Sequence, residues 1–175
     1  MRSYIGGSYL FAVCLVATIS LAAAQRPQPA PVPPPPFSLT LSTPQDTVRI
    51  GSHIVIKVTL RNESARDYPE VWRSVAGQSN RVDVQRLDGG VVTETRRGAI
   101  RKGRIDITQM TEQELSGRSY LVNLKAGGTL EEFVDVSELY SFDQPGRYRI
   151  QVRTGVPPSG KESVQSNSIV VTVTP

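Results

Sequence analysis

In the stretch from His53 to Arg61, Ile54, Ile56, Val58 and Leu60 occupy every second position. A period of two brings apolar side chains to one face only in an extended backbone. The segment therefore reads as a strand with one face in a core and Lys57, Thr59 and Arg61 on the other. The same period returns along the chain in Phe37, Leu39 and Leu41, in Val82 and Val84, in Tyr120, Val122 and Leu124, in Tyr148, Ile150 and Val152, and in Ile169, Val171 and Val173. Pro44 breaks the first of these, and Val48 to Ile50 resumes it as a split edge strand. About seven short strands with turn residues between them, and almost no helical period, predict an all-β antiparallel sandwich.

Between the strands the signals differ in strength. Asp88-Gly89-Gly90 predicts a hairpin that returns as Val91 to Thr95. From Glu63 to Asn80 the alternation lapses, which predicts a long loop with room for one short strand. Arg96 to Gln109 is basic and weakly patterned, and Thr111-Glu112-Gln113-Glu114 reads as a capping box that starts a single helical turn. Glu132 shares a phase with Leu130, Val134 and Val136, which predicts either a bulge or a carboxylate at the rim. Gln144-Pro145-Gly146 turns the chain into the strand holding Tyr148.

Ahead of the sandwich, Arg2, the apolar run Tyr9 to Leu21 and the exit Ala22-Ala23-Ala24 have the form of a cleavable export signal over residues 1–24. The expected location is therefore exported, periplasmic or extracellular, with membrane contact only through the signal before its cleavage. Residues 25–36 are dense in proline and predict a stiff polyproline II spacer. The domain then covers residues 37–175, about 140 residues, enough for a core without staples. The only cysteine, Cys14, falls within the leader, so the mature domain has no thiol ligand or nucleophile. Twenty Lys and Arg residues against 16 Asp and Glu residues give a formal charge of +4, too mild for a nucleic-acid binder.

Pro145-Gly-Arg-Tyr-Arg-Ile-Gln-Val152 resembles the penultimate strand of bacterial immunoglobulin-like domains, which opens on Pro-Gly-x-Tyr. Ser166-Asn-Ser-Ile-Val-Val-Thr-Val173 resembles their final strand. With Leu124 to Gly128 leading into Val134-Asp135-Val136, the layout is loosely similar to the intracellular proteinase inhibitor family of bacilli and to the pro-domains of deuterolysin-type proteases. The resemblance implies an immunoglobulin-like fold. These motifs mark turns and strand ends, so no reactive-site residue transfers with them.

Catalysis is not expected. His53 is the only histidine, it opens a strand on the phase opposite the core, and no serine or cysteine can be paired with it from the sequence. Asp135, Glu138 and Asp143 lack the tight spacing of a calcium loop, and no zinc motif is present, so neither a metal nor a cofactor is expected. Two stretches are candidate binding sites. Arg96, Arg97, Arg101, Lys102 and Arg104 place five cations in nine residues, which suits an anionic polymer or a charged edge that resists pairing. Tyr68 and Trp72, beside Pro69, form an aromatic pair on a loop that stacks on sugar rings or anchors a partner, the alternative being that the tryptophan plugs one end of the sandwich. The expected function is a non-enzymatic binding or structural module of the bacterial envelope, its partner an envelope protein or an anionic or glycan polymer. Two alternatives are a proteinase inhibitor, presenting Gly155-Val-Pro-Pro-Ser159 as an extended loop, and a carbohydrate-binding module.

Overall fold

The computed structural model describes residues 36–74, 79–115, 119–156 and 163–175. The expected leader, the spacer up to Pro35 and the Pro157-Pro158-Ser159 part of the expected inhibitory loop lie outside them. In chain order the strands are β1 (Phe37–Ser42), β2 (Thr47–Arg49), β3 (Val55–Asn62), β4 (Tyr68–Ser74), β5 (Asn80–Arg86), β6 (Ser119–Leu124), β7 (Thr129–Asp135), β8 (Gly146–Gly155), β9 (Ser163–Gln165) and β10 (Ile169–Thr174). Two short helices, α1 (Arg96–Arg101) and α2 (Glu112–Leu115), fall between β5 and β6.

The strands form an immunoglobulin-like sandwich. One layer has the order β1-β3-β7, the other β2-β10-β8-β5 with β9 beside β8, and β4-β6 is a separate two-stranded sheet. The strand read from Ile54 to Leu60 sits at the centre of the first layer, with Ile56, Val58 and Leu60 at most 1% exposed. Tyr148, Ile150 and Val152 from β8 and Val171 and Val173 from β10 fill the space from the other side. Pro44 marks the place where the edge strand changes layer. Before it β1 runs antiparallel to β3, and after it β2 runs parallel to β10. Asn167 ties the layers at this rim, since its Oδ1 accepts from the Leu41 amide at 2.8 Å and its Nδ2 donates to the Leu41 carbonyl at 3.2 Å.

The Pro145-Gly146 turn is locked from two sides. Tyr148 hydroxyl donates to the Gln144 carbonyl four residues upstream at 2.7 Å, the corner that immunoglobulin-like sandwiches use to start a strand. Gly146 takes φ +151° with the Arg86 guanidinium 3.3 Å from where a Cβ would stand, a position that suits glycine alone.

Three expectations are corrected. The Asp88-Gly89-Gly90 turn is made, with Gly89 at φ +81° and the Gly90 amide on Asp88 Oδ1 at 2.9 Å, but it is not a hairpin. β5 pairs with β8, and Val91 to Thr95 holds only an isolated bridge from Glu94 to Tyr140. Two glycines permit a reversal without specifying a return strand. The segment is drawn away instead by the Thr95 amide on the Leu139 carbonyl and the Ser141 amide on the Thr93 carbonyl. Second, the one strand allowed for after Asn62 is present but fills much of the expected loop: β4 runs for seven residues and pairs with β6. Asn62 is fully buried and joins two turns, donating from Nδ2 to the carbonyl of Arg66 in the β3–β4 turn at 2.8 Å and to that of Lys125 in the β6–β7 turn at 3.0 Å. Third, Glu132 is neither bulged nor at the rim. It keeps the phase of Val134 at 7% exposure and pairs with Arg73.

Candidate functional site

The basic stretch from Arg96 to Arg104 folds as α1 and its cap. Thr95 begins the helix, with its hydroxyl accepting from the Gly98 amide at 3.1 Å. The end is a Schellman closure around Gly103, at φ +67°. The Arg104 amide donates to the Ala99 carbonyl and the Gly103 amide to the Ile100 carbonyl, both at 2.9 Å. Gly98 seats the helix, because a Cβ there would lie 2.2 Å from the Leu139 carbonyl oxygen, and only a bare backbone fits so close. These signals, a threonine cap and a glycine after Arg101-Lys102, stand in the sequence. The weak apolar period of so short a helix hid them.

The cap directs Lys102 and Arg104 into a groove of about 680 Å³, which Arg81 and Asp83 of β5 and Arg153 of β8 line from the opposite side. Asp83 bridges Lys102 at 3.3 Å and Arg153 at 3.1 Å. Glu94 bridges Lys102 at 2.7 Å and Arg104 at 2.8 Å. Arg81 has no acidic partner among the described residues, so four cations share two carboxylates. Burial works against the charge of Lys102, but hydrogen bonds to Glu94, Tyr140 and Asp83 outweigh it and hold the ammonium well above the ordinary lysine range. Its Nζ also lies 5.2 Å from the Tyr140 ring centroid, which fixes the cation in place.

The structure divides the other predicted site residues. Arg96 does not line the groove and grips Glu114 at 2.9 Å, and Arg97 pairs with Glu138 at 2.9 Å. Arg101 is half-buried beside Val82 and Leu139, where burial lowers its pKa. Of the five, only Lys102 and Arg104 line the groove. Tyr68 is 8% exposed, packs on Phe37 at 4.8 Å between ring centroids, and accepts a hydrogen bond from Arg66 Nε at 3.0 Å. It is a core residue on a strand, not one of a pair on a loop. Trp72 lies on β4 opposite Leu121, and its side chain is outside the described residues. Val156, first in the expected inhibitory loop after Gly155, is 5% exposed and belongs to the core.

His53 is a surface residue whose Nδ1 meets Asp135 Oδ2 at 2.5 Å. Burial alone would raise the Asp135 pKa, yet hydrogen bonds from Ser137 and His53 turn the balance and lower it. The hollow beside His53, about 300 Å³, is lined by Thr43, Pro44, Gln45 and apolar residues, with no carboxylate. Among the described residues no cluster of three or more His, Cys, Asp or Glu side chains is placed to hold a metal ion.

No protein-family model matches this chain, and no curated protein matches its sequence. Several solved structures superpose loosely, three of them as follows. The CARDB domain of a Pyrococcus furiosus protein, solved in complex with di-metal ions, aligns with a TM-score of 0.41 at 13% identity, over 79% of this chain and 87% of that one. BslA, a bacterial hydrophobin, gives 0.37 at 14% identity, over 79% and 95% of the two chains. A Listeria innocua β-glucosidase in complex with glucose gives 0.38 at 18% identity, over 79% of this chain and 16% of that one. Superpositions this loose transfer neither a ligand nor a role.

Sequence reading missed a second polar cluster, which is structural. Arg73 of β4, 2% exposed, forms a two-pronged pair with Glu132 of β7: Nε donates to Oε1 at 3.2 Å and the second prong joins Nη2 to Oε2. Two further guanidinium hydrogens go to Thr154 Oγ1 of β8 at 2.9 Å and Asn80 Oδ1 of β5 at 3.2 Å. Asn80 Nδ2 returns a bond to Glu132 Oε2 at 2.8 Å. Every member is buried, and the guanidinium and the carboxylate neutralise each other, with four of the five guanidinium donors engaged and both carboxylate oxygens accepting.

Proposed function

We propose that this chain is an exported, non-catalytic binding domain of the bacterial cell envelope, and that the groove between α1, β5 and β8 takes hold of an anionic group on its partner. The observation that carries this reading is the charge ratio in the groove, where among the described residues Arg81, Lys102, Arg104 and Arg153 have only Asp83 and Glu94 between them. A concave polar wall with two uncompensated cations attracts oxyanions, and arginine forks bind phosphate, sulfate or carboxylate in two-pronged fashion. The shared carboxylates keep the cations aligned before a ligand arrives, which reduces the ordering cost of binding. The export signal, read from residues 1–24, supplies the compartment of the proposal. Burial of Tyr68 and Val156 removes one aromatic from the glycan-stacking reading and one loop residue from the inhibitor reading.

Calorimetric titration with inorganic tripolyphosphate at low salt tests the groove. Saturable binding is expected, weakened roughly tenfold or more by Arg104→Gln, since a hydrogen bond to a charged group contributes ~1.5 kcal/mol or more. Absence of binding at low salt by both tripolyphosphate and the carboxylate trimer trigalacturonate would reject the reading.

A further inference from the structure

On β8, Arg147, Arg149, Gln151 and Arg153 alternate with the buried Tyr148, Ile150, Val152 and Thr154, so all four point out from the same face of the sheet. Their spacing is set by the strand: about 6.8 Å between alternate residues, and roughly 20 Å from Arg147 to Arg153. The cross-strand neighbours leave this row nearly bare of acid. Arg147 sits opposite Thr172, Arg149 between Val170 and Gln85, and Gln151 opposite Asp83. Arg153 sits directly opposite Arg81, a like-charge pair of the kind that destabilises a sheet unless something neutralises it. Asp83 takes up Arg153 alone of this pair, and neither Arg147 nor Arg149 has an acidic partner among the described residues.

The row runs into the groove at Arg153. Groove and row together hold Arg81, Lys102, Arg104, Arg147, Arg149 and Arg153 against Asp83 and Glu94. That is six of the chain's 20 basic residues and two of its 16 acidic ones, an excess of four cations on this surface among the described residues.

We infer that this surface is a track for a linear, flexible polyanion, which anchors one oxyanion in the groove and lays successive ones along Arg153, Arg149 and Arg147. The inference rests on the groove reading and adds the kind of partner to it. A compact anion would use the groove and leave the row idle. A chain with closely repeated charges engages both, because each further contact forms intramolecularly once the first is made. Phosphate-linked and uronate-type polymers share the required chemistry, a non-titrating or largely ionised oxyanion on every repeat.

The test titrates the purified chain with inorganic tripolyphosphate and long-chain polyphosphate, and in parallel with trigalacturonate and polygalacturonate, across a salt series. The expected result is that the long member of at least one series binds tenfold or more tighter than its trimer per oxyanion, and the preferred series names the oxyanion. Arg147→Gln/Arg149→Gln should bring long-chain affinity down toward that of the trimer while leaving the trimer's unchanged. It should also reduce the slope of log K against log salt by roughly 1.4, two contacts at about 0.7 each as for single-stranded polyanions. Both arginines are exposed, and an unchanged thermal midpoint verifies that the fold is intact. Equal affinity of trimer and polymer, or a polymer affinity indifferent to the double substitution, overturns the track. The groove reading then still stands if Arg104→Gln weakens the trimer. Failure of every anion to bind overturns both.

Discussion

Arg73 and Glu132 show what one buried charge demands of a fold. The pair is so enclosed that removing either member leaves the other charged and unpaired in the core. Arg73→Met or Glu132→Gln alone is expected to cost about 3–5 kcal/mol in urea denaturation, while Arg73→Met with Glu132→Leu should recover much of that loss. A double variant no better than either single would reject the pairing. Gly98 carries a second prediction, and its sign runs against helix propensity. Gly98→Ala should destabilise the domain by about 1–3 kcal/mol, because the new methyl meets the Leu139 carbonyl and α1 must lift, although alanine is the better helix former. A neutral or stabilising outcome would show that α1 is free to shift. Of these residues, Glu132 was visible in the sequence as an anomaly, a carboxylate in phase with Leu130, Val134 and Val136. Arg73 was not, because the pairing of β4 slips between Tyr68 and Val71, and a bulge erases the period of two that reveals a strand.

At the level of elements, caps and turns were legible wherever a side chain closes on its own neighbourhood. The Thr111 to Glu114 box forms as read, with the Glu114 amide on Thr111 Oγ1 at 3.3 Å and the Thr111 amide on Glu114 Oε2 at 2.8 Å. Its carboxylate also holds Arg96, which joins α2 to α1. That hydrogen bond first, and the Thr111 amide second, bring the Glu114 pKa down to about 2. A carboxyl held below its ordinary value of about 4.5 contributes stability above that value and loses it as pH falls toward 2. The α1–α2 link is therefore expected to loosen in that acid window. An NMR titration should place Glu114 near 2 in the parent chain and substantially higher in Arg96→Gln; an unmoved titration would break the link. What could not be read locally was partnership. Asp88-Gly89-Gly90 encodes a reversal of direction, but the strand that pairs with β5 is β8, about 70 residues on, and no nearby residue names it. The groove was half legible for the same reason. Lys102 and Arg104 stood out in a basic run, whereas Arg81 and Arg153 look like ordinary outward positions until the sheet sets them side by side.

For the whole molecule, the period of two was enough to predict layers, because each strand buries one face and the faces must meet. It did not tell how many sheets result, and the separate β4-β6 pair was not foreseen. That pair is nonetheless bound into the core, since Arg73 reaches both larger sheets. Unfolding is accordingly expected to be a single transition. Fluorescence of the one tryptophan, carried by β4, and far-ultraviolet circular dichroism should give the same urea midpoint, and a separate early fluorescence change would show β4-β6 melting alone. The guanidinium of Arg73 finds its carboxylate 59 residues later in the chain and its hydroxyl 81 residues later. A fragment ending anywhere before Thr154 would thus have no dry place to put that cation, so the nascent chain has no stable halfway form at which to stop: the domain is assembled whole or stays open.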